Sequence, residues 1–294
     1  MLRILNLLVA MVLLTNTAYS QNFSNVQITE TKVTDNIYYL KGSGGNIGLY
    51  TWAEGNLIVD SQFKPLGDKI KTKIASLANT QTKYLLNTHY HGDHLGGNSN
   101  FSADGVTIIA QDNVRERVQI AFTNTVLKRE VKPRPKEDWP VMTFSESMSL
   151  FLGDEEVKAI FIPEAHTDGD AIIYFKNANV IHAGDVFVRY GYPFVDISSG
   201  GTIDGIIAGL DKIMEVADAD TKIIPGHGEL ANEDDVKLLR DVLADCRFIV
   251  KKLKEQGKSL DDILTLKPLA KYDDQYSGSF INGNTFIQLI YESL

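Results

Sequence analysis

Three of the chain's six histidines fall within the segment Thr88-His89-Tyr90-His91-Gly92-Asp93-His94. In an extended segment, side chains two apart face the same way, so His89 and His91 can reach one ion together. Gly92 lets the chain turn sharply, presenting Asp93 and His94 to a neighbouring point. Imidazole and carboxylate at this spacing suit zinc, which takes nitrogen and oxygen donors tetrahedrally. Three further donors stand where an apolar run gives way to a glycine-flanked loop: His166 before Thr167-Asp168-Gly169, Asp185 after Ala183-Gly184, and His227 between Gly226 and Gly228. Such strand ends are where a scaffold presents functional groups. His182 lies inside an apolar run and is assigned to packing. Cys246, the one cysteine, excludes a disulfide framework and a thiolate-rich zinc site.

The elements that must carry these residues come in two successive β-then-α groups. Val26–Val33 and Ile37–Lys41 read as a hairpin, and Asn46–Trp52 with Asn56–Asp60 as a second strand pair. Leu66–Leu77 has helical spacing, Tyr84–Asn87 is a strand feeding the histidine segment, and Asn113–Val126 is expected to be helical. Arg129–Pro140, with its prolines and mixed charges, reads as an irregular excursion. In the second half, Val157–Ile162, Ala171–Phe175, Val180–His182 and Lys222–Ile224 read as strands. Ile203–Val216 follows a Thr202 cap, and a long helix follows Asn232 with Val236, Leu239, Leu243, Cys246 and Val250 on one stripe. Cys246 therefore reads as a core residue.

Composition narrows the function. The 294 residues are 44% hydrophobic and 23% charged, which is ordinary globular usage. An excess of 38 acidic over 29 basic residues argues against nucleic acid as a partner. Residues 1–20 carry Arg3, an apolar run Ile4–Leu14, and small residues Ala18 and Ser20 before Gln21, the order of a cleaved secretory signal. The run is short for a permanent membrane span. The expectation is an exported protein, periplasmic in a Gram-negative host, with residues 21–294 as one domain and no membrane contact after cleavage. Its oligomeric state is left open.

The His89–His94 segment, followed in order by His166, Asp185 and His227, resembles the metallo-β-lactamase superfamily from about Ile37 to the helix after His227. The resemblance implies an α/β fold, a four-layer αβ/βα sandwich with its metal site at one edge between two sheets. It implies two zinc ions, one held by His89, His91 and His166, the other by Asp93, His94 and His227, with Asp185 bridging. Asp60 matches the family's early supporting aspartate, and Thr88 is a candidate supporting hydroxyl. Two zinc ions sharing a water lower its pKa to about 7. The activity implied is hydrolysis of a small acyl compound, a cyclic amide such as a β-lactam or a lactone or ester, with Asp93 orienting the attacking hydroxide and carrying a proton. Two alternatives share the fold: an iron-dependent, dioxygenase-like oxidoreductase and a glyoxalase-type thioesterase.

Substrate contacts are thinner. The family's β-lactamases have Cys or Ser where Asp185 stands, and the Cys subclass keeps a Lys three residues later, where this chain has Val188. The glycine-rich flap Gly42–Gly45 carries no aromatic cover. Arg189 is the only cation in the loop Val186–Pro193 and is expected to face the site and pair with a substrate carboxylate. Lys41 and the Arg129–Lys136 excursion are the other places to look.

Overall fold

The computed structural model describes residues 22–278 and 280–294. The expected signal segment lies outside these residues. A seven-stranded sheet runs in the order Thr29–Lys32, Ile37–Lys41, Ile47–Trp52, Gly55–Val59, Thr82–Leu86, Thr107–Gln111, Met142–Phe144. Its first three pairings are antiparallel and its last three parallel. A five-stranded sheet runs Ser147–Leu152, Glu155–Ile162, Asp170–Phe175, Val180–His182, Lys222–Ile224, antiparallel except for its last pair.

Neighbouring residues on the central strands enter different cores, because side chains alternate across a sheet. Tyr50, Leu57, Val59, Leu86 and Ile109 meet Ala159, Ile173, Val180 and Ile224 between the two sheets. Their neighbours Leu49, Ile58, Leu85 and Ile108 pack outward against Leu66, Ile70 and Ile74 of the helical segment ending at Leu77. On the far side, Ile172, Ile181 and Ile223 pack against helices Ile203–Val216, Glu233–Glu255 and Gly283–Ser293. The result is helix, sheet, sheet, helix, the four-layer sandwich expected. Strands covered on both faces read as unbroken apolar runs.

The caps are as the sequence implies. Thr202 Oγ1 accepts from Gly205 N at 2.9 Å, and Asn232 with Asp235 closes a capping box on the long helix. Cys246 is buried in that helix's stripe, and burial pushes its thiol up to about 12. One expected helix is wrong. Asn113–Val126 is helical only within Asp112–Arg117, after which Phe122–Asn124 pairs antiparallel with Arg129–Val131. The chain leaves the helix because Asn124 is claimed elsewhere: its Nδ2 donates to Asp196 Oδ1 at 2.9 Å, and its Oδ1 accepts from Leu127 N at 2.8 Å. The excursion is thus a short β arm. No helix among the described residues is long and apolar enough to cross a membrane.

Candidate metal centre

The His89–His94 segment leaves the end of strand Thr82–Leu86 and runs into a short helix, Gly92–Leu95, whose first turn carries Asp93 and His94. His166, Asp185 and His227 come from loops following strands Glu155–Ile162, Val180–His182 and Lys222–Ile224 of the other sheet. Each half of the sandwich therefore supplies part of one cluster. The donor atoms fall into three overlapping groups, each within 4.8 Å: His89, His91 and His166; His89, His94 and Asp185; Asp93, His94 and His227. All seven residues singled out in the sequence are brought together.

Four imidazoles are oriented from behind. His94 Nδ1 donates to Asp60 Oδ2 at 2.7 Å, and His166 Nδ1 donates to the Phe194 carbonyl at 2.7 Å. His91 Nε2 donates to Asp196 Oδ2 at 2.9 Å. Thr88 Oγ1 gives its proton to Asp60 Oδ2 at 2.7 Å, so it accepts from His89 Nδ1 at 3.0 Å. A neutral ring with one nitrogen protonated outward turns a lone pair inward. Four inward lone pairs therefore converge on buried space. Asp60, with φ 65 and no solvent exposure, thus stands behind Thr88 and His94 and accepts from both.

The spacing suits zinc. Two nitrogens bound to one tetrahedral ion at its usual bond length stand about 3.3 Å apart. His89 Nε2 and His91 Nδ1 are 3.2 Å apart, and His94 Nε2 and His227 Nε2 are 3.3 Å apart. His166 Nε2 lies closer, 2.8 Å from His91 Nδ1. Asp185 reaches both groups, with Oδ1 at 3.2 Å from His94 Nε2 and Oδ2 at 3.6 Å from the Nε2 atoms of His166 and His227. Its Oδ1 is buried with no hydrogen-bond donor. A buried carboxylate oxygen left so is costly unless a cation meets it.

Titration tells the same story. Burial, with the neighbouring His94 and His166, holds His89 well below the ordinary histidine value, and burial takes His166 to about 4. For His94 burial acts the other way from the carboxylates, and Asp185, Asp93 and Asp60 win, raising it well above its usual value. A second proton on His94 and a divalent cation answer the same surplus of negative charge.

Asp196 was not legible in the sequence. Besides His91 it binds the Tyr90 hydroxyl, Ser199 Oγ at 3.0 Å and Asn124 Nδ2 at 2.9 Å, tying His91 to the arm. Burial raises its carboxyl, but His91 and Tyr90 overcome this and bring it down to about 2. Asp196→Asn should lower zinc affinity about 10- to 100-fold, the usual effect of losing an outer partner of a ligating histidine. A competitive chelator titration reads this directly, and unchanged affinity would remove Asp196 from that role.

Arg189 is a correction. It does not face the cluster. Its Nη2 pairs with Asp235 at 3.0 Å and its Nη1 donates to Leu230 O at 2.8 Å. The long helix begins beside it, and the capping aspartate captures the guanidinium. Val188, its neighbour, is buried. Lys41 is likewise taken, by Glu229. His182 is in the core as expected, with Nε2 donating to Asn46 O at 3.2 Å.

Two adjoining cavities of about 670 and 570 Å³ open above the cluster, both bordered by Phe63, His91, Asp93, Leu127, Arg129 and Phe280. Both are of a size that holds small molecules.

The family model described as "Metallo-beta-lactamase superfamily" matches residues 40–227. Among curated proteins, the chain is similar to a hydroxyacylglutathione hydrolase of Pelagibacter ubique, 26% identical over 180 residues, 58% of this chain and 60% of that protein. It is also similar to metallo-beta-lactamase IND-1 of Chryseobacterium indologenes, 24% identical over 168 residues, 57% of this chain and 63% of the relative. The chain thus spans less than two thirds of the length of either relative. Among solved structures, the metallo-beta-lactamase from Pontibacter korlensis superposes with a TM-score of 0.62 at 14% identity, covering 74% of this chain and 99% of that one. The DIM-1 metallo-beta-lactamase gives 0.61 at 14% identity, covering 75% and 99%. At that identity the likeness is one of fold.

Proposed function

Because the chain belongs to the metallo-β-lactamase superfamily, we propose that it is a zinc-dependent hydrolase of small acyl compounds, with two metal ions per chain. One observation carries the reading: four imidazoles, each with its outer nitrogen engaged, turn lone pairs into one buried space, beside which Asp185 keeps an oxygen with no donor. His89, His91 and His166 would hold one ion, and Asp93, His94 and His227 the other, with Asp185 shared. Zinc bound there supplies Lewis-acid polarisation of an acyl oxygen and a water whose pKa is lowered to about 7.

The chain's own groups supply the rest. Asp93 is the more open of the two carboxylates, its side chain 29% exposed against 7% for Asp185. In this reading one of its oxygens would orient the attacking water and pass a proton to the leaving group. Tyr190 lines the same cavity. Its hydroxyl accepts from Phe194 N at 3.3 Å and keeps its proton for a substrate oxygen. The buried Val188 and the captured Arg189 leave no cation just after Asp185. That departs from the β-lactamases with a Lys at that spacing, so esters, thioesters and lactones stand beside β-lactams as candidate substrates. The two curated relatives bear the names hydroxyacylglutathione hydrolase and metallo-beta-lactamase, one for each side of this choice. Export to the periplasm through residues 1–20 is part of the same proposal.

Metal content tests it. Protein purified without chelator should carry about two zinc ions per chain, and stripping them should abolish ester, thioester and lactone hydrolysis until zinc is returned. Because the ligating imidazoles must be neutral, zinc should be lost in acid, and the group holding His94, where the carboxylates favour a second proton, should empty at higher pH than the group holding His166, which burial keeps neutral down to about 4. Iron as the resident metal, with no hydrolysis by the zinc-loaded form, would give the case to the oxidoreductase alternative, since nitrogen and oxygen donors without thiolate also accept iron.

A further inference from the structure

The described arginines divide into two kinds. Arg117, Arg189, Arg240 and Arg247 are each held by an aspartate, namely Asp168, Asp235, Asp211 and Asp204. Arg115 donates to Pro140 O and lies over the Trp139 ring. Arg129 and Arg134 form no ion pair and no side-chain hydrogen bond among the described residues. Both border the larger cavity beside the metal cluster. This stands out in a chain with 38 acidic residues to 29 basic ones.

Their position is specific. Arg129 begins the second strand of the arm, and Arg134 lies just beyond that strand's end, where its N–H donates to Val118 O at 2.8 Å. The Arg134 side chain folds back over the histidine segment. Its Nη2 fills the space that a β-carbon at position 92 would take, between the ligand residues His91 and Asp93. Glycine there is what lets the guanidinium approach. The stretch Lys128–Lys136 holds five basic residues against the single acid Glu130, a local reversal of the chain's sign. Phe63, Leu127 and Phe280 supply apolar walls to the same space. Burial pushes the Arg134 pKa below the ordinary arginine value, with Asp138 and Asp93 acting against it, so an incoming anion meets a partly desolvated cation.

We propose that Arg134, assisted by Arg129, binds a carboxylate on the substrate, so that the compound hydrolysed is an acyl anion with an apolar body. A planar guanidinium matches a carboxylate with two parallel hydrogen bonds. The anion would be held on the arm's side of the cluster, and the apolar part would lie against Leu127 and Phe280. This rests on the hydrolase reading above and adds the substrate's charge and the residues that read it.

The test uses a matched pair of zinc-binding probes, 2-mercapto-3-phenylpropionate and its primary amide, titrated calorimetrically into the zinc-loaded full chain. The acid should bind about 10- to 100-fold more tightly than the amide, the range for a hydrogen bond to a charged group. Arg134→Met should bring the two within about threefold, and Arg134→Lys should keep part of the preference because charge remains without the fork. Arg129→Met, at the exposed rim, should give a smaller loss and serves if Arg134→Met does not fold. Zinc per chain is measured for every variant. An acid-to-amide ratio unchanged in both Arg134→Lys and Arg129→Met would overturn the proposal, as would equal binding of acid and amide by the parent. Failure of both thiols to bind the zinc-loaded parent would instead bring down the open metal centre itself, and this proposal with it.

Discussion

Asp185→Asn should leave the protein folded but with fewer than two zinc ions and at least about a hundredfold less hydrolytic activity, a larger loss than that of an outer partner. The carboxylate lies within 3.6 Å of nitrogens from both donor groups, through His94 on one oxygen and His166 and His227 on the other. An amide keeps the shape and removes the charge. His94, His166 and His227 then face the same space without the anion that offsets two divalent ions. The variant's zinc content by elemental analysis and its turnover of the parent's best ester decide the matter together. Two zinc ions and parental turnover would show that Asp185 is not a shared ligand.

Gly45→Ala should damage the second metal group as severely while touching no ligand. A β-carbon at position 45 would sit inside the His94 ring. The ring cannot step aside cheaply. Its Nδ1 is held by Asp60 at 2.7 Å, and its carbonyl accepts from Ser61 N at 2.6 Å. Nor is the glycine segment free, because Gly45 N donates to Asp93 O at 3.0 Å and Gly45 O accepts from Gln62 Nε2 at 2.6 Å. The expected result is loss of about one zinc ion per chain and about a hundredfold in activity, with the far-ultraviolet spectrum unchanged. Full zinc occupancy and activity in this variant would mean that the flap Gly42–Gly45 yields instead of the ring. The expected loss would instead make it the flap's part to leave room for His94, whatever it does over a substrate.

What was legible in the sequence was local. Val180–His182, Lys222–Ile224 and the Thr202-capped helix have the bounds their composition dictates, because each is an apolar run closed by a turn or a capping residue. The histidine segment could be read because its donors lie within a few residues and its geometry is set by Gly92 and the strand before it. Asp196 could not, since its bond to His91 spans 105 residues and no spacing announces it. Arg189 shows the opposite failure. Closeness in sequence to Asp185 suggested the cavity, yet the alternation that buries Val188 turns Arg189 outward to Asp235. Helical spacing likewise ran past Arg117 because the bond that ends the pattern, Asn124 to Asp196, is tertiary.

The cluster draws His89, His91, Asp93 and His94 from one sheet's edge and His166, Asp185 and His227 from the other's, so an ion bound there would be a bolt through the seam between them. Folding and metal supply are thereby linked. An ion that binds only the closed sandwich adds about 2.7 kcal/mol of stability when its free concentration is a hundred times its dissociation constant, and nothing when it is absent. That is a sizeable share of the roughly 5–15 kcal/mol that holds a typical domain together. Where zinc is scarce, the population of intact molecules should fall, and the protein's abundance would become a gauge of the metal available to it.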